Sequence, residues 1–330
     1  MLTRIEFRNF RAIENASLEL GPFNLLIGPN GSGKSTVVQA IMDLRHRALT
    51  QALVITLGRS DEVSADYNFE EDGREFGFKR TWPHGQTGQD DHHADPNQSA
   101  SYQFVNDFGN RARQYAFDGA LMRRAAPIRQ SHDLAETGEG LAAFLDYLKD
   151  NGSDRFDALR EDLHRCLPEF DDVGFDRPND GQKAFKLRRT GTRDYVVARD
   201  LSEGTVLTLA ILAVAHQPDT PSIVCLEEPD RGIHPRLLLE VRNALYRLSF
   251  PDAFQEQRRP IQVVATTHSP YFLDLFKDNA EHVIVAEKSR DKGVTFRNLG
   301  RDPDARQRLE DTLLGQAWTA GAIGGVPARG

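Results

Sequence analysis

The chain has 330 residues, enough for one large or two modest domains. It carries 41 Lys+Arg against 49 Asp+Glu, a formal net charge of −8, with 39% hydrophobic and 27% charged residues. That balance excludes a disordered or fibrous chain and argues against a uniformly basic coat for nucleic acid, while leaving room for a local basic patch.

The predicted elements begin with a strand at Leu2–Phe10, with Ile5 and Phe7 on one face. Residues 16–20 form a second strand, and the apolar run FNLLIG at 23–28 ends in a glycine-rich loop. From Lys34 to His46 the spacing of Val37, Val38, Ile41 and Leu44 is helical. Strands at 66–69 and 74–80 flank the turn Asp72-Gly73. The stretch 83–100, PHGQTGQDDHHADPNQSA, is expected to be a mobile polar loop. Residues 134–149 and 154–166 read as helices, and 183–189 with 194–199 as a hairpin turning at Gly191.

A regular alternation follows: helix 202–216, buried strand 222–226, helix 235–248 opened by Pro235, strand 261–265, short helix 271–276 and strand 282–287. Strands alternating with helices predict an α/β sandwich with a largely parallel sheet. The apolar run 206–215 is far short of the roughly 18–20 residues of a membrane span. The N-terminus shows no apolar signal core, and Cys166 and Cys225 make no disulfide framework, so a reducing, cytoplasmic location without membrane insertion is expected.

Residues 28–35, GPNGSGKS, fit the pattern G-x4-G-K-[ST] in full. Glycines 28, 31 and 33 let successive backbone amides turn inward toward phosphate oxygens, and the helix starting near Lys34 adds the positive end of its dipole. Lys34 reaches the β- and γ-phosphates and Ser35 ligates Mg²⁺ in such a loop. The expected nucleotide-binding residues are Asn30, Gly31, Ser32, Gly33, Lys34, Ser35 and Thr36.

Residues 222–228, SIVCLEE, place two glutamates at the carboxyl end of a buried strand, where ligands sit in open α/β sheets. One of Glu227 and Glu228 can hold the metal's water shell while the other faces an attacking water. The next strand ends in TTHSP, and His268 there can hydrogen-bond a γ-phosphate. LSEGT at 201–205 opens an apolar helix with Ser202 as N-cap, a second anion-binding helix start. A complete first site has no use for it, whereas a head-to-tail dimer does.

The order GPNGSGKS, LSEGT, LEEPDRGIHP, TTHSP resembles the ABC-type ATPase heads of the RecF, OLD and SMC-like branch. The opening IEFRNFRAIENASLELGPFNLLIGPNGSGKST looks like the start of those heads. LSEGT followed by LEEPDRGIHP, and the tail WTAGAIGGVP, look most like stand-alone RecF-like ATPases, some grouped with abortive-infection and anti-phage proteins. The resemblance implies a P-loop ABC-ATPase head (1–83 and 191–330) with mixed antiparallel and parallel sheets and an inserted, mainly helical lobe (84–190). It implies a Mg²⁺-dependent ATP hydrolase with Glu227 in the Walker B place, Glu228 as catalytic glutamate, His268 as switch histidine, and Lys34 on the phosphates. Ser202 and Gly204 would contact the γ-phosphate of the partner subunit's ATP in a head-to-tail homodimer acting on DNA or an effector protein, in genome maintenance or phage defence.

Glu203 and Thr205 replace the Gly and Gln of transporter signatures, Glu227 replaces the usual aspartate, and His234 stands where transporters have the D-loop aspartate. The Q-loop glutamine has Gln130 as a candidate. Ser202 follows Ser35 by 167 residues without heptads, too few for a long SMC arm. Only 62 residues follow His268, too few for a Toprim nuclease, and the D-x-D at Asp302 and Asp304 reads as a helix start. Alternative functions are the ATP-binding subunit of a membrane transporter and a nucleotide-gated sensor with negligible turnover. Lesser candidates are the basic residues Lys183, Lys186, Arg188, Arg189 and Arg193, the group Arg123, Arg124 and Arg129, and a metal cluster of His84, His92 and His93 with Asp90, Asp91 and Asp95. Phe10 or Arg11 is a candidate for stacking on adenine. Cys225 reads as core.

Overall fold

The computed structural model describes residues 1–45, 63–82, 89–93, 98–128, 133–289, 291, 293–303 and 312–325. They pack as two compact units, Met1–Ala112 with Gln262–Gly330, and Arg113–Ile261. This cut follows packing. The head-and-insert division that the resemblance implies, 1–83 with 191–330 against 84–190, cuts the chain at other points.

The first unit holds two sheets. Strands β1 (Leu2–Phe10), β2 (Ile13–Glu19), β4 (Val63–Glu71), β5 (Arg74–Trp82) and β6 (Gln89–His93) form an antiparallel sheet in the order β2-β1-β4-β5-β6. Alternation puts Ile5 and Phe7 in the core, where both are fully buried. Asp72 and Gly73 both take positive φ, 49° and 78°, between the paired Glu71 and Arg74. Two such residues in a two-residue loop match the twist of the flanking strands.

Within the stretch 83–100, residues 83–88 and 94–97 lie outside the described residues, and the rest departs from the expected loop. It contains β6, paired antiparallel to β5 from Gly77↔His93 to Thr81↔Gln89, and the start of helix α2 (Gln98–Asn110). Ladder pairing uses backbone groups, so an edge strand forms without an apolar pattern. Helix α2 is held by Phe104 and Phe108, whose rings meet Phe69 at 5.7 and 5.3 Å.

The second sheet of this unit contains β3 (Phe23–Ile27), β13 (Gln262–Thr266), β14 (Val283–Ser289) and β15 (Gly293–Asn298), in the order β15-β14-β3-β13. Strand β3 pairs in parallel with β13 and with β14, while β14 and β15 form an antiparallel hairpin. Every residue of β3 and β13 is buried. Strands covered on both faces read as continuous apolar runs, which is how the sequence displays them. Helix α1 (Lys34–Asp43) follows β3. Helices α8 (Pro270–Asp274) and α9 (Leu314–Thr319) join where the Gly315 amide donates to Asp274 Oδ1 at 2.6 Å.

The second unit runs through β7 (Ala112–Tyr115), α3 (Gly119–Met122), β8 (Ala126–Pro127), α4 (Leu141–Asn151), α5 (Ser153–Cys166), β9 (Phe170–Asp176), β10 (Gln182–Arg189), β11 (Tyr195–Val197), α6 (Glu203–Ala215), β12 (Ile223–Glu227) and α7 (Leu238–Ser249). Strand β12 lies beside β7, and β10 pairs with β8, β9 and β11. Helix α6 is buried from Gly204 through Ala215, as its lack of a polar face requires. Around it sits an ionic cluster. His216 Nε2 and Asp162 Oδ2 lie 2.8 Å apart, Arg247 pairs with Glu256, and Arg258 reaches Glu256 at 2.8 Å.

Asp43 closes α1 with 6% of its surface exposed and its Oδ2 unbonded. Burial pushes its carboxyl up to about 6, against the opposing pull of Arg11 and Arg80. Between the ordinary value of 3.8 and about 6 the folded chain holds the extra proton. Stability therefore falls as pH rises across that window and is flat above it. Asp43→Asn is expected to raise stability at pH 7.5 by on the order of 1–3 kcal/mol. Thermal melts should show that gain shrinking to nothing below about pH 4.

Candidate functional site

Strand β3 ends at Ile27 and the chain turns at once. Gly28 takes φ 149°, and a Cβ there would lie 2.2 Å from the Ala286 carbonyl oxygen, so no other residue fits. Gly33, at φ 98°, caps α1 without a side chain. No side-chain oxygen then competes for the first amides of the helix, which stay available to an anion. Lys34 Nζ donates to the Gly28 carbonyl at 2.7 Å and the Pro29 carbonyl at 3.0 Å. The ammonium is thus folded across its own loop. Asn30, Gly31 and Ser35 are exposed, while Ser32, Gly33 and Thr36 are buried.

The parallel register sets Thr266 opposite Leu26, so β3 and β13 deliver their following residues at the same sheet edge. The Thr267 amide donates to the Leu26 carbonyl at 3.2 Å. Thr267 Oγ1 accepts from the Ser269 amide at 2.9 Å, and Ser269 Oγ from Phe272 at 3.2 Å, capping α8. His268 leaves that edge exposed. The first unit therefore brings together the phosphate loop and His268.

The second unit carries the acidic pair. Four buried residues of β12 precede Glu227, which is half-buried. Burial raises its carboxyl above the ordinary range, with Glu136 and Glu228 adding to the effect. Gln114 Nε2, from the neighbouring β7, donates to Glu227 Oε1 at 3.0 Å. Sequence reasoning missed Gln114. Its one local mark is a polar side chain in the short run ARQY, and its partner stands 113 positions away. Gln130 and Arg129 lie outside the described residues.

Glu228 takes φ 45°, a left-handed conformation, and its carbonyl accepts from the Arg231 amide at 2.9 Å. For a side chain with a Cβ this costs about 1–2 kcal/mol. Ser202 caps α6, its Oγ accepting from the Thr205 amide at 3.1 Å, and is exposed. Gly204 is buried, and a Cβ there would lie 2.8 Å from Leu237 Cδ1. His234 caps the next turn, Nδ1 accepting from the Arg236 amide at 3.3 Å.

Other candidates resolve differently. Phe10 is fully buried and packs on Trp82 at 5.3 Å and Phe7 at 5.9 Å, so it is core and no platform for a base. The basic hairpin at 183–193 is largely neutralised: Lys183 pairs with Asp146, Lys186 with Asp176 at 2.5 Å, and Arg188 with Asp171 at 2.7 Å. Asp302 pairs with Arg297, and Asp304 lies outside the described residues. His92, His93, Asp90 and Asp91 lie on β6, while His84 and Asp95 fall outside the described residues. Among the described residues no group of three His, Cys, Asp or Glu could hold a metal. Cys225 is fully buried, and burial pushes its thiol far up, as expected of a core residue.

Residues 78–274 match the family model described as "AAA domain, putative AbiEii toxin, Type IV TA system", and residues 1–71 match an AAA ATPase domain. The DNA replication and repair protein RecF of Erwinia tasmaniensis is 59% identical over 46 residues, 14% of this chain and 13% of that protein. That of Citrobacter koseri is 53% identical over 55 residues, 16% and 15% of the two chains. The matched segments thus span only about a seventh of those relatives. An SMC head domain from Thermotoga maritima superposes with a TM-score of 0.55 at 13% identity, covering 90% of this chain and 98% of that one. An SMC head bound to the C-winged helix domain of ScpA gives 0.60 at 14%, covering 90% and 97%. At these identities the likeness shows the fold, a P-loop ATPase head.

Proposed function

The chain belongs to the AAA-domain family matched over residues 78–274, and from that premise we propose that it binds and hydrolyses ATP with Mg²⁺. The observation that carries this is the phosphate loop: left-handed glycines, an uncapped helix start and Lys34 folded over the loop carbonyls. Asn30 through Thr36 would hold the phosphates, with Lys34 placing its ammonium against developing charge.

Mg²⁺ suits the donor set. Its preferred partners are hard oxygens, and it is held by one or two protein groups with substrate phosphates and water. Ser35 would supply a hydroxyl and Glu227 a carboxylate. When bound, the ion would neutralise phosphate charge. Gln114 would orient Glu227. Glu228 would accept the proton of the attacking water, and His268 would hydrogen-bond the γ-phosphate.

Ser202 and Gly204 stand at the start of helix α6. They would meet the γ-phosphate bound by a second copy, giving a cytoplasmic, ATP-dependent head-to-tail homodimer. In this reading 1–83 and 191–330 are the ATPase head and 84–190 the inserted lobe. The ScpA complex of an SMC head supports a partner protein as output, and the RecF segments support DNA. With Lys183, Lys186 and Arg188 paired to acids, the 183–193 hairpin favours the partner protein. The toxin–antitoxin wording of the family description supports a defence role.

Light scattering of Glu228→Gln with ATP and Mg²⁺ is expected to show twice the 37.0 kDa chain mass. Ser202→Arg in that background should remain single while still binding ATP. A chain that stays single in Glu228→Gln with bound ATP would overturn the dimer.

A further inference from the structure

The segment that follows α9 is tied down at several points. Trp318 is 7% exposed, and its indole N–H donates to the Gly325 carbonyl at 2.9 Å. The Gly325 amide donates to Glu287 Oε1 at 2.8 Å. Arg297 donates to the Ile323 carbonyl at 2.6 Å, and Leu314 and Ile323 are buried.

The end of this segment lies against the start of the phosphate loop. Gly325 takes φ 67°, and a Cβ there would sit 2.7 Å from Val285 Cγ1, 3.2 Å from the Trp318 indole nitrogen and 3.6 Å from Gly28 Cα. Gly324 takes φ 75°, and a Cβ there would collide with Glu287 Oε1. Gly28 is also crowded by the Ala286 carbonyl, and Val285 pairs with Ile27. The first glycine of the loop is therefore held between the middle of β14 and the segment that follows α9. Val285, Ala286 and Glu287 are consecutive in β14, so one strand touches both the loop and the segment that braces it.

We propose that residues 314–325 brace the phosphate loop, with Glu287 and Trp318 as positioning residues that set Gly28 through Gly325 and so set ATP affinity. The proposal rests on reading GPNGSGKS as the ATP site. Converging amides tolerate only about 0.5 Å of misplacement, so a shift of Gly28 costs binding without any lost nucleotide contact. Coupling between two sites is reciprocal, so ATP must in turn steady the segment.

The test uses the full chain with a fluorescent methylanthraniloyl ATP for affinity, phosphate release for turnover, and amide exchange by mass spectrometry. Trp318→Phe keeps an aromatic ring, though a smaller one, and loses the N–H. Glu287→Ala loses the acceptor, and Glu287→Gln keeps one. Trp318→Phe and Glu287→Ala are expected to weaken ATP binding about fivefold, the loss of one buried hydrogen bond, with kcat at saturation unchanged within about twofold. Glu287→Gln should restore wild-type affinity. Exchange across 314–325 should slow when ATP binds to the wild-type chain and not to Lys34→Met. If both variants lower the melting temperature yet bind ATP as the wild type does, or if ATP leaves exchange across 314–325 unchanged, the bracing role is overturned. If the wild-type chain binds no nucleotide, the ATP reading fails and takes the proposal with it.

Discussion

Lys34→Met is expected to weaken ATP binding by about two orders of magnitude or more while moving the melting temperature by only a few degrees. The Lys34 ammonium donates to two carbonyls of its own loop and is 7% exposed. Phosphate oxygens are stronger acceptors than those carbonyls, and charge-assisted hydrogen bonds contribute about 1.5–3 kcal/mol each. Losing even one such bond together with the unit charge amounts to roughly a hundredfold in affinity. Stability changes less, because removing a buried charge relieves its desolvation as its hydrogen bonds are lost. Titration with the fluorescent ATP measures the first effect and a thermal melt the second. Unchanged affinity with an intact melt would remove the phosphate loop from the account.

Glu228 gives the second large effect, in two directions at once. Glu228→Gln keeps the size of the side chain and removes its basicity. It should bind ATP at least as well as the wild type and lose about 10²–10⁴-fold in turnover. Glu228→Gly should lose turnover similarly yet melt higher, by about 1 kcal/mol of stability, because glycine takes φ 45° without a Cβ clash. A position that is strained as glutamate and relaxed as glycine is one where stability has been given up for activity. Phosphate release and melting curves on the same preparations separate the two effects. Undiminished turnover in Glu228→Gln would reduce Glu227 and Glu228 to a solvated pair at a strand end.

Much of the fold and the loop was legible because burial on both faces leaves a plain mark. Strands β3, β12 and β13 appear as apolar runs, and each is followed by the residues that matter: GPNGSGKS, Glu228 and Thr267-His268. The rest depends on contacts between distant positions. Gln114 and Glu227 are 113 residues apart, and Gly325 reaches Gly28 from the far end of the chain. The basic hairpin read more readily as a solvated face than as a nucleic-acid surface, and the acids that pair with it left no local sign because they lie outside it, as Asp146 pairs with Lys183 across 37 positions. Phe10 looked available because a strand end has no local sign of cover, yet Trp82 of β5 covers it. The left-handed turn at Glu228 had no signal either. A following proline, Pro229, ordinarily favours an extended residue before it. Strand β6 carried no apolar pattern at all, since its backbone pairing with β5 needs none.

The central claim is that the loop at 28–36 binds ATP for hydrolysis. Phosphate release from ATP by the purified full chain with Mg²⁺, run beside Lys34→Met, tests it most directly. The account predicts saturable, Mg²⁺-dependent release by the wild-type chain that Lys34→Met loses. Equal release by both, or none above background from the wild-type chain, would contradict it.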